Sequence, residues 1–158
     1  MRPARAADRD ALLLLWDEAE ALHARLQPRF FRVEKKSGEQ LERTIRLTRI
    51  LAARDEALLV AVDDEKAVCG LLHVQLYDTP PSALMVPARR GHLEDLVVAK
   101  KYRRRGCGRA LMEAGAAWAR ARGATELLLT VWAGNARAER FYKKLGYRRL
   151  SQVLGTAL

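Results

Sequence analysis

The sequence predicts a mixed α/β domain: a mostly antiparallel central sheet with helices on both faces, in the order β-α-α-β-β-β-α-β-α-β. Three observations carry that expectation. Apolar residues recur at helical spacing through the first third of the chain. The middle then changes to short apolar runs separated by polar turns. Finally, the segment from about Gly91 to Trp132 reads as strand, helix, strand, a crossover that implies a parallel pair. A length of 158 residues suits one domain, 1–158, and is too short for two.

Arg2 to Arg5 reads as a short edge strand. Leu12, Leu15, Trp16, Ala19, Leu22 and Leu26 recur at helical spacing, so about Asp8 to Leu26 is an amphipathic helix with Asp8 as N-cap. Ser37 to Ala53 reads as a second helix, with Leu41, Ile45 and Thr48 on one face. Ala57 to Val62 and Ala67 to Tyr77, joined by the polar turn Asp63-Asp64-Glu65-Lys66, form a hairpin. A loop at Pro80-Pro81 follows, then strand over Ser82 to Ala88 and Gly91 to Val98. Gly106 to Arg122 is a helix with a stripe of Leu111, Ala114, Ala117, Trp118 and Ala121, ended by Gly123. Thr125 to Trp132 reads as a strand buried on both faces, Asn135 to Leu145 as a helix stopped by Gly146, and Tyr147 to Val153 as a last strand.

Hydrophobic residues at 49% and charged residues at 30% place the chain among globular proteins. No apolar run approaches the roughly 18 to 20 residues of a membrane helix. Asp8 and Asp10 interrupt the basic N-terminus before any apolar stretch, unlike a signal peptide. Cys69 and Cys107 have neither disulfide nor metal-ligand spacing, which suits a reducing cytoplasm. His23, His73 and His92 are isolated, so no metal site is expected.

The net charge of +10 attracts phosphates, whether on nucleic acid or on a small anionic ligand. Its densest part, Lys100 to Arg109, is threaded with glycines. Leu96-Val97-Val98 feeds through a short connector into Arg103-Arg104-Arg105-Gly106-Cys107-Gly108-Arg109 at a helix start. The first N–H groups of a helix lack partners and carry partial positive charge. Glycines let backbone approach an anion closely, so this arrangement is a pyrophosphate cradle. The spacing matches neither a Walker loop nor a dinucleotide fingerprint.

Arg103-x-x-Gly106-x-Gly108 resembles the coenzyme-A pyrophosphate motif of the GNAT N-acetyltransferase superfamily. Leu93 to Val98 resembles its fourth strand, and Asn135-x-x-Ala138-x-x-Phe141-Tyr142-Lys143-Lys144-Leu145-Gly146-Tyr147 its closing helix and last strand. The likeness covers roughly Ala67 to Val153. It implies acetyl-CoA as cosubstrate and an amine acceptor as partner, with a homodimer as the common assembly. Backbone groups of Leu96 and Val98, with Val97 between them, would pair with the pantetheine arm. Arg103 to Arg109 would hold the pyrophosphate mostly through N–H groups, and Asn135 would touch the pantetheine. The fourth strand in this family usually carries a bulge that parts it from the fifth, which a sequence does not reveal.

Tyr142 lies seven residues after Asn135 and so shares its helix face. A tyrosine there can protonate the leaving thiolate; alternatively Phe141 and Tyr142 are both core aromatics. Glu94 is the candidate base, with Asp95 as rival because strand neighbours face opposite ways. Glu94 could instead pair with Arg89 or Arg90. Cys107 reads as a space-filler at the variable position of the loop. The loop Gln27 to Arg32 is a candidate acceptor wall, although Phe30 and Phe31 could pack inside. Two other functions fit the charge or the fold: a basic nucleic-acid-binding module, which lacks any recognisable signature, and a non-catalytic acyl-CoA sensor.

Overall fold

Five strands form one sheet in a computed structural model, which describes residues 1–33, 39–82 and 84–156. Strands β1 (Arg2–Pro3), β2 (Glu56–Val62), β3 (Val68–Thr79), β4 (Ala88–Val98) and β5 (Glu126–Leu129) lie side by side in chain order. All neighbours are antiparallel except β4 and β5, which run parallel because helix α3 (Cys107–Arg120) carries the chain between them. Helices α1 (Arg9–Leu26) and α2 (Glu39–Ala52) precede β2, and α4 (Ala136–Lys144) follows β5.

The alternation of side chains along β2 to β4 builds two cores. Leu58, Val60, Leu71 and Val97 face Leu12, Leu15 and Trp16 of α1 and Leu47 and Ile50 of α2. Leu59, Ala61, Leu72, Val74 and Leu93 face Leu111 and Met112 of α3, with Phe141 and Tyr142 of α4 packed on that side. Helices therefore cover both faces, as the patterning predicts.

The sequence misreads α2. Ser37 lies outside the described residues, and the face of Leu41 and Ile45 is the exposed one, while Leu47 and Ile50 are buried. Arg43, one turn before Leu47, bonds Asp17 at 2.5 Å and also pairs with Glu20 on α1. That ionic contact turns the stripe Arg43, Leu47, Ile50 toward α1 and the sheet. Asp8 makes no capping bond to α1. Its carboxylate accepts from the Arg5 N–H at 2.7 Å and from Arg2 at 2.7 and 2.8 Å, and the Arg2 contact holds it below the usual carboxylate range.

Three strand expectations change as well. The described part of Ser82 to Ala88 holds no strand before Ala88. The segment Thr125 to Trp132 shortens to the four residues of β5, an edge strand that is exposed at Glu126 and half-buried from Leu127 to Leu129 rather than buried on both faces. Residues 147–153 form no strand; Leu150 and Val153 are exposed, and a segment becomes a strand only with a ladder partner.

Candidate active site

A β-bulge on β4 organises the site. Val74 of β3 opposes Leu93, and the next residue, His73, opposes Asp95, so Glu94 is the extra residue with no counterpart. The pairing of β4 with β5 ends at the same place, on Leu93 and Leu129. Beyond the bulge β4 is paired with a neighbouring strand on one side only. The Ala99 N–H donates to the Cys69 carbonyl at 3.0 Å. In an antiparallel ladder the direction of the polar groups alternates. Those of Val97 therefore point to β3, and those of Leu96 and Val98 point away from it, toward the edge that β5 has left.

The bulge also resets side-chain alternation, so Glu94 and Asp95 both lie on the α1/α2 side rather than on opposite faces. Asp95 Oδ2 accepts from Trp16 Nε1 of α1 at 3.0 Å and from Arg46 of α2 at 3.2 Å. His92 and Glu94 are two apart on β4 and share that face; His92 Nδ1 lies 2.9 Å from Glu94 Oε1. Glu94 does not pair with the two arginines considered for it. Arg89 bonds Asp78 at 2.8 Å and also pairs with Asp55, and Arg90 bonds Glu126 at 2.6 Å and Thr79.

Under the bulge lies a buried polar cluster. His73, only 2% exposed, bonds Glu56 through Nε2 at 2.8 Å and places Nδ1 3.8 Å from Asp95. Burial works against the Asp95 charge, yet the His73 contact, the Arg46 charge and the Trp16 N–H together hold its carboxyl below the usual range. Asp95 is thus ionised, engaged by three side chains and weak as a base.

At the end of β4 a 3-10 turn (Lys100–Tyr102) leads into the glycine loop. Gly106 sits at φ +83°, in the left-handed region, and is the N-cap of α3. The first helical bond runs from the Ala110 N–H to the Gly106 carbonyl, which leaves the N–H groups of Cys107, Gly108 and Arg109 without intrahelical acceptors. A Cβ at Gly108 would lie 3.3 Å from the Phe141 ring, so glycine is what lets α4 pack on this helix start. Arg104 and Arg105 are exposed. Arg103 instead donates through Nε to the Val98 carbonyl at 2.6 Å and pairs with Glu18 of α1 at 2.9 Å, bracing the loop against β4 and α1. Cys107 Sγ lies 3.9 Å from Cys69 Sγ, and burial, then Cys69, push its thiol up to about 12. It fills space and is no nucleophile at neutral pH.

Asn135 caps α4, its side-chain oxygen accepting from the Ala138 N–H at 3.2 Å. Tyr142 packs against Phe141 and Tyr147 at ring separations of 5.3 and 5.7 Å. Burial, then Tyr147 and Asp95, push its hydroxyl well above the ordinary tyrosine value. Phe30 and Phe31 stay out of the core and pack on Trp132 at 5.4 and 4.8 Å, and Gln27 Nε2 ties their loop to the Ala133 carbonyl at 2.8 Å. The sequence reading had no role for His92, Trp16 or Trp132. Only His92 carried a signal, its spacing of two from Glu94 on a strand. No helix among the described residues is long and apolar enough to cross a membrane.

The sheet thus opens between β4 and β5 beside a helix start whose first N–H groups lack intrahelical acceptors. The chain belongs to the acetyltransferase (GNAT) family, whose model matches residues 18–147. Among solved structures, a mutant of a Bacillus halodurans protein superposes with a TM-score of 0.91 at 24% identity, over 99% of this chain and 98% of that one. An aminoglycoside antibiotic 6'-N-acetyltransferase from Acinetobacter haemolyticus gives 0.73 at 18% identity, over 99% and 96%. A glucosamine-6-phosphate N-acetyltransferase from Arabidopsis thaliana gives 0.66 at 17% identity, over 99% and 95%. At these identities the likeness is one of fold. No functionally curated protein matches the sequence.

Proposed function

We propose that residues 1–158 act as one N-acetyltransferase domain that moves an acetyl group from acetyl-CoA to a primary amine by direct attack in a ternary complex. The observation that carries this reading is the bulge at Glu94, where β4 parts from β5 and the glycine loop lies at the far end of the freed segment. The residues fit a long pyrophosphate-bearing thioester: main-chain groups of Leu96 and Val98 face the vacated edge, and Cys107, Gly108 and Arg109 present N–H groups to an anion. Arg104, Arg105 and Arg109 add positive charge, Gly106 supplies the turn, and Arg103 holds the loop. Val97 anchors the strand in the core. Asn135 keeps its amide N–H groups for the pantetheine while its oxygen caps α4.

Acetyl-CoA supplies the activated acyl group. Glu94 accepts the proton that an alkylammonium, with a reference pKa of about 10.4, must lose before it can attack. Tyr142, which stays protonated throughout the working pH range, donates its O–H to the departing sulfur, and the second proton that the nitrogen sheds as the amide forms restores the hydroxyl through solvent. The acyl carbon forms its bond to nitrogen as the bond to sulfur breaks. Phe30, Phe31 and Trp132 wall the acceptor side. The two cysteines, thiols held 3.9 Å apart, suit a reducing cytoplasm.

Thermal unfolding with and without acetyl-CoA tests the donor. At a hundredfold excess over its Kd, a native-state ligand contributes about 2.7 kcal/mol, which raises Tm by several degrees. Free-thiol release across an amine panel then identifies the acceptor. Absence of any shift sinks the reading. Tyr142→Phe is expected to lower kcat by about 10² while leaving the acetyl-CoA shift intact; unchanged turnover would remove the tyrosine from the chemistry.

A further inference from the structure

We propose that His92 is a positioning residue for the base: its Nδ1–H donates to Glu94 Oε1 at 2.9 Å and holds that carboxylate at the point where β4 parts from β5. The inference rests on the reading of Glu94 as the base. An ionised carboxylate only accepts, so the ring nitrogen is the donor.

The two residues stand on backbone of different rigidity. His92 belongs to the doubly paired part of β4, opposite Gln75 of β3 and Leu128 of β5. Glu94 is the bulged residue, with no opposite number on β3 and one position past the last pair with β5. A freely rotating carboxylate on such a residue samples many orientations. A bond to a side chain rooted in fixed backbone restricts it to one, as supporting contacts do for reacting groups.

The other charged neighbours are committed elsewhere. Asp95 is held by Trp16 of α1, Arg46 of α2 and His73 of β3. His73 also bonds Glu56 of β2, and Arg90 bonds Glu126 of β5. Among the described residues His92 is the side chain that bonds Glu94. The side chains of the pair are 31% and 36% exposed, and ion pairs in such settings contribute little to stability. Removing the imidazole therefore leaves a folded protein in which only the orientation of Glu94 has changed.

The experiment compares the full chain with His92→Ala and His92→Asn. The Glu94 carboxyl carbon resonance is read by NMR at neutral pH, and kcat and KM are measured with acetyl-CoA and an amine that the parent acetylates. Loss of the imidazole donor is expected to move the Glu94 carboxyl resonance in His92→Ala. The same variant is expected to lower kcat by roughly tenfold to a hundredfold, with KM for acetyl-CoA and its thermal shift unchanged. Asparagine places an amide N–H within reach of the same oxygen, so His92→Asn restores most of both. An unmoved Glu94 carboxyl resonance in His92→Ala overturns the proposal. So does a His92→Asn enzyme as slow as His92→Ala, because the imidazole would then itself carry the proton. Failure of the parent to bind acetyl-CoA or acetylate any amine sinks the functional reading, and the Glu94 resonance still reports on the contact.

Discussion

The two halves of β4 have different surroundings. Arg90 to Leu93 are paired on both sides, to Tyr77, Leu76, Gln75 and Val74 of β3 and to Glu126 through Leu129 of β5. Leu96 to Val98 are paired to Leu72, Leu71 and Gly70 alone. The first half is a structural beam; the second is half a ladder that leads into the glycine loop. A single extra residue, Glu94, separates them, and the same insertion turns two consecutive carboxylates to one face. Trp16 of α1 and Arg46 of α2, on that face, engage Asp95, and Glu94 is the proposed base. A site of this kind is made by withholding a hydrogen-bond partner rather than by adding a group.

Deleting Glu94 attacks that distinction most directly. Without the extra residue β4 regains a regular register and loses the proposed base together. Turnover is expected to fall by roughly 10³ or more, measured by thiol release, with the far-ultraviolet circular dichroism of the sheet retained. Turnover near the parent's would show that the bulge does not make the site.

The polar cluster under the bulge offers a smaller perturbation. Asp95→Asn removes the charge that Trp16, His73 and Arg46 converge on, and is expected to cost about 2–4 kcal/mol of stability at pH 7. Because the folded carboxyl lies below its ordinary value, its contribution is complete above the unfolded value of about 3.9 and is lost as pH falls toward the folded one. Denaturant unfolding at pH 7 and at pH 3 should therefore show the gap between parent and variant narrowing in acid. A gap that stayed constant would mean that the Asp95 charge does not carry it.

The smallest effect concerns the cradle. With its thiol pushed up to about 12, Cys107 holds little thiolate at neutral pH and should react with iodoacetamide far more slowly than an exposed cysteine. Rapid labelling of Cys107 in the folded protein would place the loop in a more open state than its packing on Cys69 implies.

Much of this was legible from the residues. The glycines of the loop and the apolar stripes of α1 and α3 announce themselves because local backbone geometry and helix periodicity dictate them. The α2 stripe was misread because Leu41, Ile45 and Leu47, Ile50 satisfy the same period, and the choice fell to Arg43 and its ion pairs with α1. The tail after Gly146 has strand-like composition, but pairing, not composition, makes a strand. Asn135 and Tyr142 were visible as a pair on one helix; that Asn135 also caps α4 was not.

The sequence by itself determined the layered α/β class, the glycine-bearing loop and the candidate residues of β4 and α4, since each depends on residue type and short-range spacing. The tertiary structure decided which carboxylate α1 and α2 engage, which helix face is buried and where the sheet opens. Those outcomes depend on register between strands distant in sequence, and a one-residue slip such as the bulge at Glu94 leaves no local mark while it reverses which way a side chain points.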